Sequence, residues 1–158
     1  MEITDIEAKE ATIKLTEPLR VTFGDITEVK TVFIQIKTDA GLIGYGEACP
    51  FEPVTGETID SELAALNFLQ PILYKQDPTQ IEKLHHLMDD QIVGHTALKA
   101  GIDLALYDLL GKAANLPVYK LLGGSDNKVI TDITISINPI EKMVNDAQKY
   151  TNAGFSEL

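Results

Sequence analysis

The sequence predicts an α+β domain, a three-stranded antiparallel meander plus helices, followed by the start of a parallel βα repeat. Three observations carry this. Apolar residues alternate at period two through much of the first 48 residues, with turn residues between the runs. They then recur at helical spacing in three segments between residues 58 and 115. Finally, a strictly alternating run at Val129–Ile137 is followed by helix-start signals, the order of a βα unit.

In the first run Ile6 and Ala8 keep one phase and Ala11, Ile13 and Leu15 the other, which predicts a bulge near Lys9-Glu10. Thr16–Glu28 carries Pro18, Gly24 and Asp25 without a sustained period and reads as a loop. Val32, Ile34 and Ile36 line one face of a second strand. Asp39-Ala40-Gly41 is a tight turn, and Leu42–Ala48 returns as a third strand whose Gly44 and Gly46 leave one side low in bulk. Cys49–Gly56, with Pro50, Pro53 and Gly56, reads as a second loop. A helix over about Thr58–Leu73 follows, with the stripe Ile59, Leu63, Leu66, Leu69 and Ile72. Asp77 and Pro78 supply cap and first-turn signals for a helix to about Ile92, with the stripe Ile81, Leu84, Leu87 and Met88. The third helix, about Thr96–Asn115, is apolar around most of its circumference and is expected to be buried on several sides.

The change to a βα pattern near Ser125 divides the chain into residues 1–124 and 125–158. Val129, Thr131, Ile133, Ile135 and Ile137 point one way, and Ile130, Asp132, Thr134 and Ser136 the other. Asn138 is placed to cap a helix, with Pro139 at its first position and Glu141 completing a capping box. Ile140, Met143, Val144, Ala147 and Tyr150 recur at helical spacing, Gly154 suits a left-handed helix end, and Phe155 opens an apolar run. A parallel strand needs neighbours and cover on both faces. The chain is therefore expected to be the front part of a larger protein.

Composition narrows the function. An apolar content of 44% is too high for disorder, and a formal charge of −11 weighs against nucleic acid and anionic membranes as partners. One cysteine, Cys49, cannot form an internal disulfide, which fits a reducing cytoplasm. The N-terminus has no basic region followed by an apolar stretch, and no apolar run reaches the roughly 18 residues of a membrane helix.

Little in residues 1–128 carries chemistry by itself. Gly44-x-Gly46 lacks the third glycine and the following helix start of a dinucleotide fingerprint, and Gly111-Lys112 lacks the hydroxyl residue of a phosphate loop. His85 and His86 diverge by about 100° on a helix and cannot chelate one ion together without other ligands. His95 at a helix entrance, Asp89-Asp90 at a helix end and Cys49 before Pro50 read as surface or loop groups. Thr134 shares its strand face with Asp132 and Ser136. In an antiparallel sheet such a face meets water. In a parallel barrel it looks inward, with its C-terminal end at the barrel mouth, and the βα unit favours that reading.

Together, Gly44-Tyr45-Gly46-Glu47-Ala48, Thr55-Gly56-Glu57-Thr58, Lys99–Leu109 and Leu116–Gly124 resemble the capping domain of the enolase superfamily, muconate-lactonising subgroup. The Thr-Gly-Glu-Thr segment and Thr131–Ile137 look most like dipeptide epimerases. The match covers the whole chain but about two-fifths of the family's length. The resemblance implies a capping domain over residues 1–124. Residues 125–158 would then be the first strand, first helix and start of the second strand of a (β/α)₇β barrel, and the two loops would cover the barrel mouth.

The resemblance further implies a magnesium-dependent isomerase that removes a proton next to a carboxylate, forms an enediolate and returns the proton on the other face. In the family a Lys-x-Lys pair follows the segment equivalent to Glu157-Leu158, and the metal ligands and a second lysine come later. No catalytic residue and no metal ligand is thus expected in this chain, which alone should be inactive. Thr134 matches a position that contacts substrate. Where L-Ala-Glu epimerases carry a carboxylate-holding arginine, this chain has Gly24, with Arg20 near but unmatched. That weighs against an acidic second residue and for a neutral or apolar one, with Phe23, Phe51 and Val54 lining its pocket. Muconate cycloisomerase and o-succinylbenzoate synthase are sister activities. A self-contained binding or assembly module is the alternative of a different class, and pairing into a homo-oligomer is left open.

Overall fold

The computed structural model describes residues 1–158. They form two compact units: residues 1–12 with 30–125, and residues 13–29 with 126–158. The grouping of 13–29 with the C-terminal residues was not anticipated from the sequence.

The sheet is the meander expected, in the order β1 (Ile3–Val21), β2 (Gly24–Thr38), β3 (Ile43–Ala48). β2 and β3 pair antiparallel from Val32↔Ala48 to Lys37↔Ile43. Burial along β1 shifts from Ile6 and Ala8 to Ala11 and Leu15, the phase change read from the sequence. The supposed loop Thr16–Glu28 is instead strand on both sides of a two-residue turn at Thr22-Phe23. Most of residues 13–29 are exposed, so no face imposes a period-two pattern on them. Pro18 is tolerated because β1 is an edge strand, where a missing N–H need not break a ladder.

Five helices lie in the first unit: α1 (Glu52–Thr55), α2 (Ile59–Leu73), α3 (Ile81–Gln91), α4 (Thr96–Ala114) and α5 (Val118–Leu121). The loop expected over Cys49–Gly56 thus contains a helical turn, ended by Gly56 at φ 73°. α2 starts with a capping box, Thr58 Oγ1 accepting from Ser61 N at 3.0 Å and Ser61 Oγ accepting from Thr58 N at 2.9 Å. Its buried stripe is Glu62, Ala65, Leu66, Leu69 and Leu73, rotated from the one expected, so Ile59, Leu63 and Ile72 are half-buried. Asp77-Pro78 does not open α3. The Asp77 carboxylate accepts from Thr79 N and Thr79 Oγ1, and its carbonyl from Gln80 N, which makes a turn before the helix.

Ile3, Ile6, Val32, Ile34 and Ile36 from the sheet meet the stripes of α2 and α3 and Leu98, Ile102, Ala105, Leu106 and Leu109 of α4 in one core. α4 sits directly on β3. A Cβ at Gly44 would fall 2.2 Å from the Ala105 carbonyl oxygen, and one at Gly46 1.9 Å from that of Gly101. One at Gly101 would meet the Ala48 Cβ at 3.0 Å. Two strand residues advance about 6.6 Å and four helix residues about 6.0 Å, so the two glycines stay in step with Ala105 and Gly101. α4 also covers the outer edge of β3. Asp108 Oδ2 accepts from Tyr45 N at 2.9 Å, and Lys112 Nζ donates to Ile43 O at 2.7 Å while lying 4.7 Å from the Tyr45 ring centre.

In the second unit, α6 (Ile140–Asn152) is the expected helix. Gly154 follows it at φ 102°, Phe155 N donates back to Tyr150 O at 3.1 Å, and the two rings meet edge-to-face at 6.2 Å. Its start differs: Pro139 holds the cap position with no side-chain cap, and Asn138 Oδ1 instead accepts from Arg20 Nη1 at 3.4 Å. Val129–Ile137 is not a strand. It takes no regular secondary structure, because alternation cannot make a ladder without a paired neighbour; its backbone bonds are isolated, Ile133 N to Glu157 O at 3.3 Å and Ile137 N to Arg20 O at 3.1 Å.

Gly46→Ala is expected to destabilise the fold by about 3 kcal/mol or more, since the methyl meets helix backbone that cannot rotate away. Urea unfolding measures it; a loss below about 1 kcal/mol would contradict this packing.

Candidate functional site

The residues singled out for substrate contact fall on both units. In the first, Cys49–Thr58 joins β3 to α2 and carries Phe51, half-buried at the N-cap of α1, and Val54, 71% exposed on α1. The segment leaves the sheet at Ala48, whose carbonyl accepts from Thr31 Oγ1 at 3.0 Å, and Pro50 is buried. Within it, the Phe51 carbonyl accepts from Val54 N and Thr55 N, both at 2.9 Å.

At its far end the segment reaches the start of α4. Glu57 Oε1 accepts from Thr96 N at 2.6 Å and Thr96 Oγ1 at 3.1 Å, and Oε2 accepts from Ala97 N at 3.1 Å. Glu62 Oε2 accepts from Leu98 N at 3.0 Å, and Oε1 lies 3.1 Å from His95 Nδ1. Two carboxylates thus satisfy the leading N–H groups of α4, where the helix dipole favours negative charge. Its own cap residue, His95, is left-handed at φ 51° and caps nothing with its side chain.

Burial acts to raise Glu57, but the N–H groups of Thr96 and Ala97 and the Thr96 and Thr55 hydroxyls outweigh it and hold the carboxyl below its ordinary 4.5. Glu62 is fully buried, and burial pushes it above 4.5. His95 and Leu98 pull the other way without cancelling that, and the Glu57 charge adds to the rise.

Sequence reading missed both acids. Glu62 sits at i, i+3, i+4, i+7 spacing with Ala65, Leu66 and Leu69, and an acid on that face signals a buried partner. Glu57 had no local signal, because the donors it serves lie 39 and 40 residues away.

In the second unit Phe23 and Gly24 form the hairpin end, Phe23 56% exposed and Gly24 at φ 140°. Arg20 Nε pairs with Asp25 Oδ2 at 3.3 Å, so Arg20 is engaged by Asp25 and Asn138. Thr134 is exposed in the irregular segment before α6. Lys142 Nζ lies 3.4 Å from Glu17 and 2.9 Å from Asp146.

The other candidates are structural. His85 Nε2 lies 2.6 Å from Asp103 Oδ1, and Lys99 Nζ bonds Asp89 Oδ1 at 2.7 Å and Ile92 O at 2.6 Å, tying α3 to α4. Cys49 is exposed. No helix is long and apolar enough to cross a membrane.

Residues 3–123 match the family described as mandelate racemase / muconate lactonizing enzyme, N-terminal domain. The chain belongs to that family. This is the capping domain of the enolase superfamily, and the antiparallel sheet with its helices is that fold.

Three relatives of this mandelate racemase / muconate lactonizing chain are named for their substrates. It is 39% identical over all 158 residues to a hydrophobic dipeptide epimerase of Enterococcus faecalis, covering 45% of that protein. It is 37% identical to a D-Ala-D/L-Ala epimerase of Cytophaga hutchinsonii, over 98% of this chain and 42% of that one. It is 35% identical to an N-succinyl-L-Arg/Lys racemase of Bacillus cereus, over 100% of this chain and 43% of that one. A crystal structure of the Enterococcus faecalis dipeptide epimerase with Mg and L-Leu-L-Tyr superposes with a TM-score of 0.95, covering 98% of this chain and 44% of that one. The chain thus spans less than half the length of the curated relatives it matches. Within residues 1–158 no three His, Cys, Asp or Glu side chains converge as a metal-binding group. They do not fit a magnesium ion.

The two α4 carboxylates should be separable by pH. Glu57, lowered in the folded state, adds stability that is full above about pH 4.5 and disappears as pH falls through its lowered value. Glu62, raised, favours folding below about pH 4.5, and that advantage is lost as pH rises through its raised value. Glu57→Gln is therefore expected to cost about 1–2 kcal/mol at pH 7 and progressively less at acid pH, while Glu62→Gln flattens the decline in stability above about pH 4.5. Urea unfolding across pH 3–7 measures both; a Glu57→Gln penalty equal at the two extremes would contradict the assignment.

Proposed function

We propose that this chain is the N-terminal part of a dipeptide epimerase of the mandelate racemase / muconate lactonizing family. In this reading residues 1–124 are the capping domain, and 125–158 supply the first strand, first helix and start of the second strand of a (β/α)₇β barrel. The complete polypeptide removes a proton next to the dipeptide carboxylate, and a solvent-exchangeable proton is delivered to the opposite face of the resulting enediolate. In this reading the magnesium ligands and the proton-transferring groups are supplied by residues outside 1–158. This chain's share is substrate recognition, with Phe51, Val54, Phe23, Gly24 and Thr134 as the candidate contact residues.

The observation that carries the reading is the similarity across the whole chain to a hydrophobic dipeptide epimerase, at 39% identity and a TM-score of 0.95. Two features of the chain itself support the choice among substrates. The recognition residues are largely apolar, with Phe23 and Val54 strongly exposed. Arg20, the cation nearest the position where an acidic dipeptide would need one, is paired with Asp25 and bonded to Asn138. A neutral or apolar second residue fits both.

The complete polypeptide, given magnesium and a panel of dipeptides in deuterium oxide, is expected to epimerise those with an apolar second residue and to place deuterium at the inverted carbon. Dipeptides ending in Glu are expected to react at least about tenfold more slowly, the cost of a buried unpaired carboxylate. Residues 1–158 alone are expected to give no exchange. Mass spectrometry reads all three arms. Exchange confined to N-succinyl amino acids would replace dipeptides as the substrate class, and exchange by residues 1–158 alone would overturn the division of labour.

A further inference from the structure

We propose that Glu57 is a positioning residue for substrate selection: its carboxylate fixes the 49–58 segment against α4 and so sets where Phe51 and Val54 stand. The inference rests on the functional reading above for its link to substrate, and on the geometry for the positioning itself.

α1 is four residues long and buries none of them. A single helical turn has no stability of its own, because nucleation fixes several residues for one hydrogen bond. Its place must therefore come from its flanks. On the upstream side the chain leaves a paired strand at Ala48, and Pro50 is buried. On the downstream side Gly56, at φ 73°, turns the chain so that the next residue faces α4. There Glu57 gathers Thr96 N, Thr96 Oγ1 and Ala97 N on its two oxygens.

These are charge-assisted bonds to a helix N-terminus, stronger than neutral ones and directed by fixed backbone donors. They engage donors on the helix that Gly44, Gly46 and Gly101 lock onto the sheet. The segment carrying Phe51 and Val54 is thus referenced to a closely packed helix–sheet interface. Glu62 does not duplicate the tether. It lies inside α2 and serves Leu98 N, beyond the segment.

A ligand that binds one arrangement of a segment loses affinity in proportion to the fraction of molecules holding it. Freeing the segment should therefore raise KM and leave the chemical step nearly untouched. The test uses the complete polypeptide with Glu57→Ala, Glu57→Gln and, as a stability control, Thr79→Ala, which removes an exposed turn bond to Asp77. Hydrogen exchange is followed at the amides of Val54, Thr55 and Gly56, together with KM and kcat for an apolar dipeptide. Glu57→Ala is expected to speed exchange at these amides about tenfold and to raise KM about tenfold with kcat within about twofold. Glu57→Gln should fall between, since its amide oxygen keeps one acceptor. Thr79→Ala should change neither readout.

Unchanged exchange at residues 54–56 in both Glu57 variants overturns the proposal. So does a KM rise in Thr79→Ala matching that of Glu57→Ala, which would mark a general effect of stability. If the wild-type polypeptide turns over no dipeptide, the functional reading fails, and the exchange arm alone upholds or overturns the positioning.

Discussion

α4 lies so close to β3 that no side chain fits between them at three positions, and the rest of the first unit follows from that contact. Gly44 and Gly46 are separated by two strand residues, and their partners Ala105 and Gly101 by four helix residues, distances that differ by only about half an ångström. The match lets helix and strand run past each other without a void. It brings Asp108 and Lys112 within reach of the main-chain groups of β3, so the helix closes the edge it lies beside. It also accounts for a helix apolar on several sides, since α4 meets sheet, α2 and α3 together.

A helix held this tightly must have its ends satisfied. The usual solution is a local cap, as Thr58 supplies for α2. α4 instead takes acceptors from Glu57 and Glu62, more than thirty residues earlier. A neutral hydroxyl cap would serve one N–H; two carboxylates serve three and add favourable charge. The cost is burial of Glu62, and it appears in the opposed directions in which the two acids titrate. Capping at a distance also makes the 49–58 segment part of the helix's structure, which a local cap would not do.

What could be read from the sequence followed from how local each signal was. The three strands, the main helices and the glycine-poor-in-bulk face of β3 were legible because burial imposes a period on neighbouring residues. The end of α6 was legible too, from Gly154 and Phe155. Thr16–Glu28 was not, because strands exposed on both faces carry no period. Asp77-Pro78 misled, because the turn it makes uses the same residues as a helix cap. Val129–Ile137 alternates like a strand, yet alternation records which faces a strand would show and cannot supply its partner. Of the candidate site, Phe23, Phe51 and Val54 were named through the family resemblance, since no local pattern in the sequence marks them. Glu57 and Glu62 were not, because their partners are distant in sequence and their role needs the fold.

The fold limits what these residues can do. Within residues 1–158 no three His, Cys, Asp or Glu side chains converge as a metal-binding group. The His85–Asp103 contact and the Lys99–Asp89 ion pair link α3 to α4.

The most direct measurement is a crystal structure of the complete polypeptide with magnesium and an apolar dipeptide. The account requires the second side chain of the ligand within about 4.5 Å of Phe51, Val54 or Phe23, with Glu57 still on Thr96 and Ala97. A ligand seated away from all of these residues would contradict it.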